Sequence, residues 1–235
     1  MKRCNPLAAL VVAATILNSP LYGEDDQSSS QPNSVWVTSI APRGSSGEFV
    51  AATADGLLLR EAAVVTFPAT NPTELTPLYT HPAAVWCVDA TSDGNHVASV
   101  DYRGNLIVFD TQAAASTTHE KAFERWCQSM LISPDNKSIV AGNEAGKVMV
   151  WDIAAAKVSA SAELDGHAVT GLALSPDRSQ LAASDGAGHV HLLKWPGLEP
   201  IAEIKISDET AWCVAYSQDG SLLVGSSDRH LYRCE

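Results

Sequence analysis

This chain lacks the usual marks of a membrane protein, a redox enzyme and a nucleotide-binding enzyme. Its one long uncharged apolar run, Leu7 to Leu17, has eleven residues, about half of the ~20 that a helix needs to span a bilayer. There is no Cys-x-x-Cys and no Cys-x-x-Cys-His, which excludes a thiol redox pair and covalent haem. No glycine-rich phosphate loop leads into a helix, and Gly44-Ser45-Ser46-Gly47 is not the Gly-x-Ser-x-Gly elbow of a hydrolase. Basic residues are few: 15 Lys and Arg face 27 Asp and Glu, a formal charge of -12 over 235 residues. Such a field repels phosphate backbones, so nucleic acid is not an expected partner.

At its start the chain has the order of a secretory signal peptide. Met1-Lys2-Arg3 precedes the apolar run, Asn18-Ser19-Pro20 breaks it, and Gly23 stands before Glu24-Asp25-Asp26. Residues 1–23 are therefore expected to be removed and the protein exported, periplasmic or secreted. The mature chain would carry 13 basic against 27 acidic residues and no membrane span. Residues 24–34, rich in Ser and Gln, read as a disordered polar spacer. The folded domain is residues 35–235.

What the chain does contain is a repeat. Five stretches, starting near 35, 85, 127, 169 and 211, run apolar segment, Pro/Asp/Gly turn, apolar segment, glycine turn, apolar segment. Stacking Arg43, Asp93, Asp135, Asp177 and Asp219 gives spacings of 50 and then 42 three times. A period near forty with about three short strands per unit predicts an all-β chain, a β-propeller of about five blades. Blade four shows the pattern. Val169 to Leu174 is strand a, and Ser175-Pro176-Asp177-Arg178 is a type I turn, because Pro presets φ and Ser and Asp bond locally. Gln180 to Ser184 is strand b, His189 to Lys194 strand c, and Pro200 to Ile206 the outer strand d. The fifth unit reaches only strand c, at Leu231 to Glu235. Its outer strand is thus expected to be lacking and the ring incomplete or weakly closed, with open blade edges that favour self-association.

Ser133-Pro134-Asp135, Ser175-Pro176-Asp177, Gly166-His167 and Trp151-Asp152 resemble the WD40 repeat, and the resemblance extends over residues 35–235. It implies a non-catalytic scaffold that binds protein or peptide on its top face and needs no cofactor. Blades of that family often link a His, a Ser or Thr, an Asp and a Trp by hydrogen bonds, and no blade here has all four. Blade three has Trp151 but Ala145 at the Asp position. Blade four has His167 and Ser184 but Ala187 and Leu193, and only Asp55 and Asp228 occupy the Asp position. The blades are therefore expected to rely on apolar packing. In the family an N-terminal segment often supplies the missing outer strand; here the spacer would have to do so, with weak β-propensity.

Trp36, Trp86 and Trp212 align one residue into strand a, and Trp126 lies two residues earlier in its unit. The resemblance places this end of strand a near the top face, where indoles would form an aromatic platform for a peptide or sugar. His81, Tyr102, Arg103 and Arg125 would share that face; the alternative is that the indoles pack between blades. Cys87, Cys127, Cys213 and Cys234 are expected as buried free thiols, with a Cys87–Cys127 bridge between adjacent blades as the alternative. His189 and His191 share one face of strand c, two donors of a metal site that needs a third or fourth. No metal is expected, and this pair is the one candidate. Two other readings stay open. A metal-dependent, lactonase-like propeller enzyme or small-ligand binder would need channel-facing carboxylates or histidines from several blades, and a shortened propeller subunit would need completion by another chain.

Overall fold

Within residues 35–235, short runs of β-branched and small apolar residues, each closed by a turn built on Asp, Asn or Gly, favour strands, and no helix forms among the described residues. The computed structural model describes residues 4–7 and 35–235. The expected spacer, and the expected signal segment apart from Cys4–Leu7, lie outside the described residues. Within them no helix is long and apolar enough to cross a membrane.

Among the described residues, twenty strands form five four-stranded antiparallel sheets. The first strand, β1 (Cys4–Leu7), belongs to the last sheet. Blade one holds β2 (Trp36–Arg43), β3 (Glu48–Ala54), β4 (Ala62–Pro68) and β5 (Thr76–His81). Blade two holds β6 (Val85–Ala90), β7 (His96–Asp101), β8 (Leu106–Asp110) and β9 (Ala115–His119). In blade three are β10 (Cys127–Ile132), β11 (Ser138–Asn143), β12 (Lys147–Asp152) and β13 (Lys157–Glu163). Blade four comprises β14 (Val169–Leu174), β15 (Gln180–Asp185), β16 (His189–Lys194) and β17 (Pro200–Lys205). The fifth repeat supplies β18 (Ala211–Tyr216), β19 (Leu222–Ser226) and β20 (Leu231–Cys234), three strands of its own. Its outer position is filled by β1, antiparallel to β20 with Cys4 opposite Cys234. The strand that completes blade five thus comes from upstream of the spacer, not from it.

Side chains alternate between the two faces of each sheet, so every blade needs a neighbour on both sides. In β11, Ile139 and Ala141 face blade two beside Ala98, Val100 and Leu106, whereas Val140 faces blade four beside Val169, Leu181 and Leu193. Four apolar layers result, one per adjacent pair of blades. No fifth layer joins blade five to blade one among the described residues, so the stack is an open arc. At its two ends apolar side chains stay in solvent: Trp36, Val37 and Ile40 on β2, and Trp212 with Cys213 on β18.

Polar networks back up the apolar layers, which departs from the expectation of packing alone. In the a–b turns, Thr91, Ser133 and Ser175 each donate a hydroxyl hydrogen bond of 2.6 Å to the Asp two residues on (Asp93, Asp135, Asp177). The b–c turns lack the family's Asp in blades two, three and four, yet an acceptor two residues earlier replaces it. Asp101 accepts from the backbone N–H groups of Arg103 and Asn105, Asn143 from those of Ala145 and Lys147, and Asp185 from those of Ala187 and His189. Asp101 is fully buried, and its second oxygen accepts from the Asn105 side chain at 2.8 Å. His81, also buried, has Nδ1 3.5 Å from that oxygen and Nε2 hydrogen-bonded to the Ser99 hydroxyl at 2.8 Å.

Burial pushes the Asp101 carboxyl up, but the His81 ring beside it and hydrogen bonds from the Asn105 side chain and backbone outweigh it and hold the group below its ordinary value. A carboxyl lowered on folding stabilises the fold above its unfolded-state pKa, and that contribution disappears as pH falls through the lowered value. Replacing Asp101 by Ala strands three donors, two of them buried, and is expected to cost about 2–3 kcal/mol in denaturant unfolding at neutral pH. The difference between wild type and the variant should shrink on acidification below about pH 4; a difference that stays constant down to about pH 2 would refute the ionised, hydrogen-bonded role.

Candidate binding site at the channel mouth

Every inner strand is irregular at one equivalent point. Register slips by a residue between Val37 and Ser39, Val85 and Cys87, Cys127 and Ser129, Val169 and Gly171, and Ala211 and Cys213. A bulge of this kind inserts one residue that leaves the two-face alternation and re-aims its side chain. The five inserted residues are Thr38, Trp86, Gln128, Thr170 and Trp212, and together with Trp126 they line one cavity of about 410 Å³.

This register revises the alignment of the tryptophans. Thr38, not Trp36, matches Trp86 and Trp212, because blade one's bulge falls two residues later than the apolar pattern implies. Trp36 corresponds instead to Trp126. It stands 52% exposed on the free face of blade one and does not line the cavity. Trp86 and Trp126 pack at 5.0 Å with rings tilted, and Tyr102 lies 5.4 Å from Trp126. The buried Nε1 atoms of Trp86 and Trp126 have no hydrogen-bond partner among the described residues. Trp212 donates from Nε1 to the Ser227 hydroxyl at 2.6 Å, which fixes an otherwise exposed ring. The two threonines also tie one blade to the next. Thr38 donates to the Val85 carbonyl at 2.6 Å, and Thr170 donates to the equivalent carbonyl of Ala211.

Beside this cavity lies an apolar rim that the repeat pattern conceals. The b–c loop of blade one carries Leu57, Leu58 and Leu59, 52%, 39% and 62% exposed, and with Arg60 and Tyr102 they border a second hollow of about 470 Å³. Tyr102 joins the two. Three consecutive leucines in a loop that is a tight turn in the other blades were the available signal.

The remaining expected residues fall elsewhere. His81 is buried and bonded to Ser99 of blade two, so it presents no surface. Arg103 is exposed in the b–c turn of blade two, and Arg125 is exposed with Nη1 3.6 Å from Glu144. His189 and His191 sit on β16, among the residues of blade four that do not line the cavity. Cys87 and Cys127 are buried and free, and the Cys87 thiol donates to the Cys127 carbonyl at 3.3 Å, so the alternative bridge between them does not form. Burial pushes the Cys87 thiol up to about 12, and burial likewise holds Cys127 well above its ordinary value. Neither is a thiolate nucleophile near neutral pH. Two cysteines differ from expectation: Cys213 is free but exposed, because no blade covers its face, and Cys234 is disulfide-bonded.

The WD domain, G-beta repeat family model matches residues 72–110, 159–192 and 199–232. Each match runs from the outer strand of one blade into the three inner strands of the next, from β5 through β8, from within β13 into β16 and from β17 into β20. Repeat and sheet are therefore offset by one strand. No curated protein matches the chain.

Of Cys87, Cys127 and Cys213, only Cys213 should react quickly with a thiol reagent under native conditions, with the other two following in denaturant. Mass spectrometry of the labelled peptides reads this directly, and rapid native labelling of Cys87 would mean that the inner strands are not packed as described.

Proposed function

We propose that these WD40 repeats form a non-catalytic interaction scaffold that is exported and binds an extended protein or peptide segment at the channel mouth. The observation that carries this reading is the convergence of five bulge residues and Trp126 on one cavity. Three of its six lining residues are tryptophans, the residue type that most often anchors interfaces. The rings of Trp86, Trp126 and Trp212 supply aromatic area against which side chains of an extended peptide can pack. The leucine rim and Tyr102 extend the same surface. A net charge of -12 favours a basic partner in the flanking contacts.

Export rests on the N-terminal pattern from Met1 to Gly23. Its cleavage would also remove β1, leaving β20 with an unpaired edge that favours pairing with a second chain. Intact-mass analysis of extracytoplasmic protein should find Glu24 as the first residue; a retained Met1-Lys2-Arg3 would refute cleavage.

The binding reading is tested with peptides selected by display on the wild-type chain and then titrated against variants. Trp86→Ala and Trp126→Ala should each weaken the selected peptides by tenfold or more, about 1.4 kcal/mol or above. Trp36→Ala, outside the cavity, should leave affinity unchanged. Equal binding by all three folded variants would sink the channel-mouth site.

A further inference from the structure

Blade four gathers ionisable groups that neither the repeat nor the channel cavity requires. His189 and His191 alternate along β16, and Glu203 of β17 lies directly opposite His191 in the ladder. Asp165, in the loop that enters β14, reaches the same place. One ring nitrogen of His191 and one oxygen each from Asp165 and Glu203 lie within 4.8 Å of one another. His191 is buried, while both carboxylates are exposed. His189 brings Nε2 to 3.5 Å from Glu203 Oε1, and its buried Nδ1 has no hydrogen-bond partner among the described residues.

Two further facts set this cluster apart from an ordinary solvated face. First, neither Asp165 nor Glu203 has a Lys or Arg partner among the described residues. Lys205, the nearest basic residue in the ladder, directs its ammonium to the Ala187 carbonyl at 2.9 Å and to Asp208 at 3.5 Å. Two carboxylates held this close repel one another unless a cation sits between them. Second, the His191 ring is held from behind. Asp185 places Oδ2 2.9 Å from His191 Nε2, while its Oδ1 accepts the backbone N–H groups of Ala187 and His189. A buried carboxylate that orients a histidine ring is the support that metal-ligating imidazoles commonly have.

We propose that Asp165, His191 and Glu203 form a binding site for a divalent transition-metal cation of the zinc type. Bonds of about 2.0–2.2 Å in a tetrahedral set bring donor atoms to about 3.5 Å from one another. The group as found needs a contraction of about 1 Å, within the reach of two exposed carboxylate side chains turning about their χ angles. Mixed imidazole and carboxylate donors select zinc over calcium or magnesium, which take oxygen ligands. The site lies on the outer two strands of the blade and the loop before β14, not in the channel cavity. Bound metal would clamp that loop to β16 and β17, as a structural ion and not a catalytic one.

Isothermal titration of the chelator-treated full chain with zinc chloride tests this, beside Asp165→Asn and Glu203→Gln, whose exposed side chains can change without unfolding the blade. Circular dichroism confirms that each variant folds. The wild type should take up one equivalent with micromolar or tighter Kd, and each variant should bind about tenfold more weakly or worse. Calcium chloride should give no saturable heat at the same concentrations. Absence of saturable zinc binding, zinc binding that both variants retain in full, or calcium binding equal to zinc would each overturn the site.

Discussion

The structure depends on one constraint: a four-stranded sheet whose side chains are apolar on both faces has to be covered twice. Residues such as Val140 and Ile139, adjacent in sequence, point into different interblade layers. A blade on its own would expose both layers, so stability belongs to the stack and not to the repeat. The same rule makes the ends of the arc conspicuous. Trp36, Val37 and Ile40 on blade one and Cys213 on blade five have no layer to enter, and they remain exposed for that reason.

Regularity along the stack would leave the channel featureless. A strictly alternating inner strand sends its side chains into the two layers, with none to spare for the channel mouth. The bulge at the start of each inner strand breaks that alternation once per blade and gives one side chain to the cavity. Because the break sits at the same register in all five, the five chosen side chains converge. Their identities differ, Thr, Trp, Gln, Thr, Trp, so the scaffold is repeated while the surface is not. Thr38 and Thr170 bind neighbouring blades together at the same level, which holds the rim on which the tryptophans stand.

Polar groups follow a similar logic of substitution. Where the residue before the b–c glycine is not acidic, an Asp or Asn two positions earlier receives the turn's N–H groups, and burial makes that acceptor indispensable. In blade two the acceptor engages a histidine from the last strand of blade one. In blade four it engages a histidine from strand c instead, and that exchange frees the outer strands to gather His189, Glu203 and Asp165. The fifth blade borrows its outer strand from the far end of the sequence, so its completeness is decided by contacts between the two ends of the chain.

Much of this was legible in the residues alone. The spacing of Asp93, Asp135, Asp177 and Asp219, the turn dipeptides and the apolar runs determined strand length, turn type and repeat number, because these obey local rules of period and backbone conformation. The tryptophans at the start of strand a were visible too, but their equivalence was not. A bulge changes register by one residue without altering composition, so only the pairing of β2 with β3 separates Thr38 from Trp36. His189 and His191 could be seen as a pair, while Glu203, Asp165 and Asp185 join them through a ladder and a loop that no local pattern encodes. Local sequence therefore determined the blade and its turns. Tertiary structure alone decided where the arc ends, which side chains reach the channel and which charges meet, since each depends on contacts between segments that share no neighbourhood in the chain.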